Sequence, residues 1–211
     1  MKVIPVAESQ ARADEIAAVV TAGGLACIPL RGAYRIIADA RSEAAIVRLA
    51  QSKRRAHNRP ALIMVADLAA AKDLVDGTTW ALTTRLTKKL WPGPLTLVLP
   101  PSKRLEPKVA KILTRSTGRI GIRVPDDKLS AAIIAGCNIP LLVSSANIES
   151  KPGSTSASAV KQRFDRTVEL WVNAGDIRPE PPSTLVELTE TEWTVVREGA
   201  ITRAAIERAL A

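Results

Sequence analysis

Along this 211-residue chain the apolar positions alternate between a three-to-four-residue recurrence and short unbroken runs. The first spacing marks helices and the second marks buried strands. Ile16, Val19 and Val20 share a helical face in a segment that Ser9 is placed to cap and Gly23-Gly24 to stop, which predicts a helix to about Thr21. Residues 25–29 read as a short buried strand, and Ser42 as the cap of a second helix carrying Ala45, Ile46 and Leu49. Residues 61–65 form a strand pattern, 67–75 and 78–90 helical patterns, and 95–99 and 120–124 further strands. A helix over 127–135, an apolar strand over 140–143, strands at 184–188 and 194–197 and a last helix capped by Thr202 complete the reading.

This order predicts an α/β fold, a twisted sheet covered by helices. The strands at 184–188 and 194–197 are so close that a hairpin must join them, so the sheet is expected to be mixed. No internal repeat or low-complexity tract is visible, and Arg178-Pro179-Glu180-Pro181-Pro182 is the only linker-like stretch. One domain over residues 1–211 is expected.

Composition narrows the class. Hydrophobic residues make up 46% and charged residues 24%, enough for a sizeable core with an ordinary surface. The start lacks the apolar run of a signal peptide, and no stretch reaches the roughly 18 apolar residues of a spanning helix. A cytoplasmic protein with no membrane role is the expectation. Cys27 and Cys137 lie in apolar surroundings and read as buried structural thiols, and with a single histidine no metal site is expected.

Charge changes the picture more. Between Arg48 and Arg123 stand sixteen Lys/Arg and only four acids, Asp67, Asp73, Asp76 and Glu106, so this block holds +12 while the whole chain holds +9. Such a cluster answers either to an anionic partner or to solvent, and charge alone leaves both open. In α/β sheets ligands collect at the carboxyl ends of strands. Lys53 and Arg55 precede a strand, Ser144-Ser145-Ala146-Asn147 follows one and Arg197 ends one. Cations there can neutralise phosphate or carboxylate oxygens, and Ser145 and Asn147 can orient a ligand through neutral hydrogen bonds. Taken singly, each also has an ordinary reading as a turn residue or surface cation. His57 reads as a surface loop residue. Neither a nucleophile–base arrangement nor a phosphate-binding glycine motif is visible, so any catalysis should rest on positioning and electrostatics.

Four segments taken together carry a resemblance. Lys53-x-Arg55 with Pro60-Ala61-Leu62, then Trp91-Pro92-Gly93-Pro94-Leu95-Thr96, then Gly121-Ile122-Arg123-Val124-Pro125-Asp126, then Ser144-Ser145-Ala146-Asn147 resemble the YrdC/YciO-like family, the threonylcarbamoyl-AMP synthases. Pro182-Ser183-Thr184-Leu185-Val186 and Val196-Arg197-Glu198-Gly199-Ala200-Ile201 look like its closing motifs. The resemblance implies a sheet around a basic cavity. It also implies synthesis of threonylcarbamoyl-AMP and pyrophosphate from L-threonine, bicarbonate and ATP, with Mg²⁺ accompanying ATP, for t6A modification of tRNA. By the same resemblance Lys53 and Arg55 are catalytic; Tyr34, Ser144 and Arg123 bind substrate; and Lys53, Ser145, Asn147 and Arg197 bind nucleotide. The family's first motif, Pro-Thr-x-Thr-x-Tyr-Gly-Leu, stands here as Pro29-Leu30-Arg31-Gly32-Ala33-Tyr34-Arg35-Ile36. Both threonines are lost, so threonine at positions 30 and 32 is expected to raise activity. Arg119 and the 148–152 segment depart as well. The alternative is a divergent paralogue that binds nucleotide or double-stranded RNA without synthesis. A carbamoyl-adenylate activity like that of the related domain in HypF proteins is a third reading.

Overall fold

Short runs of leucine and β-branched residues form strands, and amphipathic segments form helices, in the computed structural model, which describes residues 1–52, 60–114, 117–147 and 155–211. In chain order the elements are β1 (Lys2–Pro5), α1 (Val6–Ser9), α2 (Ala13–Thr21), β2 (Ala26–Pro29), β3 (Tyr34–Asp39), α3 (Glu43–Gln51), β4 (Ala61–Met64), α4 (Trp80–Leu90) and β5 (Leu95–Leu99). There follow α5 (Pro107–Thr114), β6 (Ile120–Arg123), α6 (Lys128–Cys137), β7 (Leu141–Ser145), α7 (Ala157–Phe164), β8 (Leu170–Asn173), β9 (Thr184–Leu188), β10 (Trp193–Arg197) and α8 (Arg203–Leu210). They fall into two units, Met1–His57 with Asp127–Glu180, and Asn58–Asp126 with Pro181–Ala211.

The first unit carries strands in the order β1-β8-β2-β3-β7. β8 runs parallel to β1 and β2, while β2–β3 and β3–β7 are antiparallel. β3 is covered on both faces, so Ile36 and Ile37 are both fully buried and no alternation shows in its sequence. Helix α2 contributes Ile16, Ala17 and Val20 to the core. Ser42 accepts the Ala45 N–H and Asp127 the Ser130 N–H, which satisfies otherwise orphaned donors at the starts of α3 and α6. Glu169 braces the loop before β2, accepting the Leu25 N–H and an Arg48 guanidinium N–H, each at 2.7 Å. Burial alone would raise its pKa, but these contacts outweigh burial and hold it below the ordinary 4.5.

The second unit orders its strands β4-β6-β5-β9-β10. β4–β6 and β5–β9 are parallel, and β5–β6 and β9–β10 antiparallel. Ile63, Met64, Leu86, Leu97, Ile122 and Ile206 form its core. Helix α8 begins at the expected Thr202 cap and packs on α4, where Lys89 Nζ donates to the Arg208 carbonyl. The register of β10 slips between Val195 and Arg197, leaving Val196 as an extra residue that is 54% exposed.

The α/β class, the mixed pairing and the closing hairpin are as expected. Two local expectations fail. Ser9 does not cap α2: it ends α1, its hydroxyl donating to the Val6 carbonyl at 2.7 Å, and α2 begins only at Ala13. Within residues 67–75 only a 3-10 turn at Ala69–Ala71 forms, started by Asp67 accepting the Ala70 N–H. β1, β3, α5, α7 and β8 were not anticipated from the pattern. Among the described residues, no helix is long and apolar enough to cross a membrane.

Candidate functional site

In the first unit the motif region is a tight hairpin. Leu30 N–H donates to the Ala33 carbonyl at 2.8 Å, so Arg31 and Gly32 are the two central residues of the turn, with φ of 44° and 66°. Positive φ at both positions is the type I′ arrangement that suits the twist of paired strands. Gly32 is pressed against the chain at residues 179–180: a Cβ there would lie 2.2 Å from Glu180 N. This overturns the expected gain from threonine at positions 30 and 32. Leu30 is buried and position 32 has neither the room nor the backbone conformation for a side chain.

Tyr34 follows the turn and is fully buried, its ring 5.9 Å from that of Trp171. Its hydroxyl donates to the Gly175 carbonyl at 2.8 Å and accepts the Ala174 N–H at 2.9 Å. Burial raises its pKa, with the Ala174 bond opposing. Asp176, next along that turn, accepts the Ala157 N–H at the start of α7. The Tyr34 carbonyl accepts the Ala146 N–H at 2.9 Å, so one residue holds both the 173–176 turn and the end of β7.

At that end Ser144 stands opposite Ile36 and Ser145 opposite Arg35. Successive strand residues face opposite ways. Ser144 therefore lies buried on the Ile36 face, while Ser145 is half-exposed on the Arg35 face and donates its hydroxyl to Asn147 Oδ1. The geometry thus joins Ser145 with Asn147, whereas Tyr34 bonds to the 173–176 turn and to Ala146.

In the second unit Arg123 ends β6 and is 2% exposed. Its carbonyl accepts the Val65 N–H, and its guanidinium donates to the Ser183 hydroxyl and to Met64 Sδ. Arg197, at the end of β10, donates to the Ser183 carbonyl at 2.7 Å. Two arginines from separate strands meet at one serine, Ser183, whose role its residue type does not announce. The buried Thr184 hydroxyl explains why the two closing motifs occur together: it donates to the Ile201 carbonyl and accepts the N–H groups of Gly199 and Ile201. Gly199 passes so close to β9 that a Cβ would sit 2.1 Å from the Pro182 carbonyl oxygen. The Trp91–Thr96 run is also structural: the Trp91 indole donates to the Leu95 carbonyl, and the Pro94 carbonyl accepts the Thr184 N–H. Thr96 ends it with a buried hydroxyl that has no hydrogen-bond partner among the described residues.

The family model Sua5_yciO_yrdC, described as telomere recombination, matches residues 18–199. The chain belongs to this family. It is 30% identical to the threonylcarbamoyl-AMP synthase of Pyrococcus abyssi over 89% of its length, and 29% identical to that of Bacillus subtilis over 92%. It covers 54% and 55% of those proteins, so it spans about half the length of these relatives. The crystal structure of P. abyssi Sua5 complexed with L-threonine superposes with a TM-score of 0.82, at 28% identity, over 95% of this chain and 57% of that one.

Two of the expected Sua5/YciO/YrdC positions, Lys53 and Arg55, lie outside the described residues, as do His57 and the departing segment at 148–152. Among the described residues, no group of three or more His, Cys, Asp or Glu is gathered to hold a metal ion. Lys103, Arg104, Lys108 and Lys111 are exposed, with Arg104 in a surface ion pair with Asp73. Cys27 is buried, which pushes its thiol well above the ordinary range, while Cys137 is partly exposed.

Proposed function

We propose that this chain carries out the threonylcarbamoyl-AMP synthase reaction on L-threonine, bicarbonate and ATP. The observation that carries the reading is the meeting of Arg123 and Arg197 at Ser183, a cationic cluster built at the ends of two strands. Guanidinium groups held in place by protein hydrogen bonds present a positive charge to phosphate or carboxylate oxygens with little reorganisation. The relatives' names and the L-threonine complex of the P. abyssi protein support the choice of substrates. In this reading the threonine nitrogen joins the bicarbonate carbon with loss of water. A carbamate oxygen then forms a bond to the α-phosphorus of ATP while the bond to the β-phosphate oxygen breaks, and pyrophosphate leaves with that electron pair.

Lys53 and Arg55 would neutralise the reacting anions; Tyr34, Ser144 and Arg123 would serve the substrate side; and Ser145, Asn147 and Arg197, with Lys53, the nucleotide. The buried Tyr34 hydroxyl serves by shaping the hairpin and the 173–176 turn. The described residues do not provide a carboxylate cluster for a protein-held metal. Mg²⁺ belongs to this scheme only as the counterion that ATP brings, and no step is assigned to it. A cytoplasmic role in t6A modification of tRNA follows from the same reading.

Incubating the protein with ATP, bicarbonate and L-threonine, then measuring pyrophosphate and the adenylate product, tests the reading. Product formation should depend on all three substrates; pyrophosphate release indifferent to L-threonine would overturn it. One observation favours a second reading, retention of nucleotide or double-stranded RNA without synthesis: the exposed cations of residues 103–111. RNA held by phosphate contacts would show log affinity falling linearly with log salt, by about 0.7–0.9 per phosphate neutralised. Binding to an RNA duplex that ignores salt removes that reading.

A further inference from the structure

Thr184 opens β9 with its side chain fully buried. Its hydroxyl donates to the Ile201 carbonyl at 2.6 Å and accepts the Gly199 and Ile201 N–H groups, each at 3.0 Å. A hydroxyl has one donor and two acceptor lone pairs. All three are taken, so Thr184 has nothing left with which to touch a ligand. What it holds is the loop that leaves Arg197. Next to it in the chain stands Ser183, whose carbonyl accepts from the Arg197 guanidinium at 2.7 Å. The residue that meets Arg197 and the residue that fastens the loop after it are therefore neighbours at one strand start.

Arg197 sits where such a hold matters. The pairing of β10 with β9 slips between Val195 and Arg197, so the ladder reaches Arg197 only past the exposed extra residue Val196. Beyond Arg197 the chain is fastened to residues 182–184. Ala200 N–H donates to the Pro182 carbonyl at 2.9 Å, and Gly199 and Ile201 bond to the Thr184 hydroxyl. Thr184 is itself anchored, its N–H donating to the Pro94 carbonyl at 2.9 Å. A side chain on a backbone held in this way meets a ligand with its geometry already set, and loosening the backbone costs binding.

We infer that Thr184 is a positioning residue for Arg197. By tying residues 199–201 to the start of β9 it sets where the guanidinium lies against the Ser183 carbonyl, and through Arg197 it sets the affinity for a phosphate-bearing ligand. The choice of ligand rests on the synthase reading, under which Arg197 serves the nucleotide. The dependence of Arg197 on Thr184 rests on these hydrogen bonds and on no other contact of the guanidinium.

Calorimetric titration of ATP and pyrophosphate into the unaltered protein, Thr184→Val, Thr184→Ser, Arg197→Gln and the Thr184→Val, Arg197→Gln double variant tests the inference. Arg197→Gln should weaken binding about 10- to 100-fold, the loss of one charge-assisted contact. Thr184→Val keeps the shape without the hydroxyl and should weaken binding about 10-fold, whereas Thr184→Ser keeps the hydroxyl and should stay within about twofold. In the Arg197→Gln background Thr184→Val should cost less than about twofold, because nothing remains to be positioned. An equal loss in both backgrounds, or no loss in either, would overturn the inference, and so would Arg197→Gln binding as the unaltered protein does. Thr184→Ala leaves room for a water in place of the hydroxyl and takes over if Thr184→Val does not fold; failure of both to fold assigns Thr184 to stability alone and overturns the positioning role. The expected coupling in a protein that makes no adenylate would remove the synthase reading and leave the positioning role standing. An unaltered protein that binds neither ligand removes both.

Discussion

The two units are built from similar parts, five strands in a mixed sheet with helices packed on them, yet their strand ends differ in kind. The end of β7 is a hydrogen-bonding surface, with Ser145 bonded to Asn147 beside the half-exposed Arg35. The end of β6 is a buried cation, Arg123, hydrogen-bonded to the same serine whose carbonyl Arg197 engages. A half-exposed polar set is solvated when empty and costs the fold little. A guanidinium that is 2% exposed must be hydrogen-bonded to be tolerated, so its hydrogen bonds belong to the stability of the unit. The two strand ends therefore differ in what holds them, neutral hydrogen bonds at β7 and a buried charge at β6.

The largest expected effect breaks the geometry of the first unit. Gly32→Thr forces a β-branched residue into positive φ and onto Glu180 N, and should destabilise the protein by about 2–5 kcal/mol in denaturant unfolding. Wild-type stability in this variant would mean that the turn is not built as described. Next, Arg123→Met keeps much of the volume and removes the charge. ATP-dependent pyrophosphate release should fall by about 100-fold, given a fork that makes two charge-assisted contacts. Stability should change much less than activity; the reverse pattern would make Arg123 a structural residue.

A smaller effect is expected from Tyr34→Phe, which keeps the ring beside Trp171 and strands the Gly175 carbonyl and the Ala174 N–H. It should lose about 1–3 kcal/mol of stability. The slightest and most conditional effect concerns Glu169. Its folded-state pKa lies below the ordinary 4.5, so its contribution is present above that value and is lost as pH falls through the folded pKa. Glu169→Gln should therefore lower melting temperature at neutral pH and narrow its gap from the unaltered protein in acid. A gap constant from pH 7 to pH 3 would show that ionisation of Glu169 does not matter.

What was legible in the sequence follows from how local the signal is. The caps at Ser42 and Thr202 and the stop at Gly23-Gly24 use bonds spanning a few residues, so composition announces them. β3 was hidden because burial on both faces erases alternation and because Arg35 and Asp39 give it charged positions. α5 opens on Pro107, a residue suited to the first helical turn, but its lysines made it look like part of a solvated charge block. In the candidate site, Arg123, Arg197, Ser145 and Asn147 could be picked out by residue type. Ser183 could not, since its partner Arg123 is sixty residues away along the chain. The Leu30–Gly32 reading failed because motif alignment compares side chains, whereas this loop is decided by two positive φ angles and a backbone in contact with Gly32.

The extra residue in β10 determines which way Arg197 points. Before the slip, Val195 pairs with Val186 on the buried face of β9; after it, Arg197 pairs with Leu185, whose face is more open, instead of with the fully buried Thr184. Were the pairing regular with Val196 kept, Val196 would stand opposite Leu185 and Arg197 opposite Thr184, so every later residue would move to the opposite face. Arg197 would then be aimed at the interior, and its guanidinium would lose the line to the Ser183 carbonyl. The bulge therefore acts as a phase shift in the chain: one residue of length, with no chemistry of its own, decides whether the second arginine stands opposite Leu185 or opposite the buried Thr184.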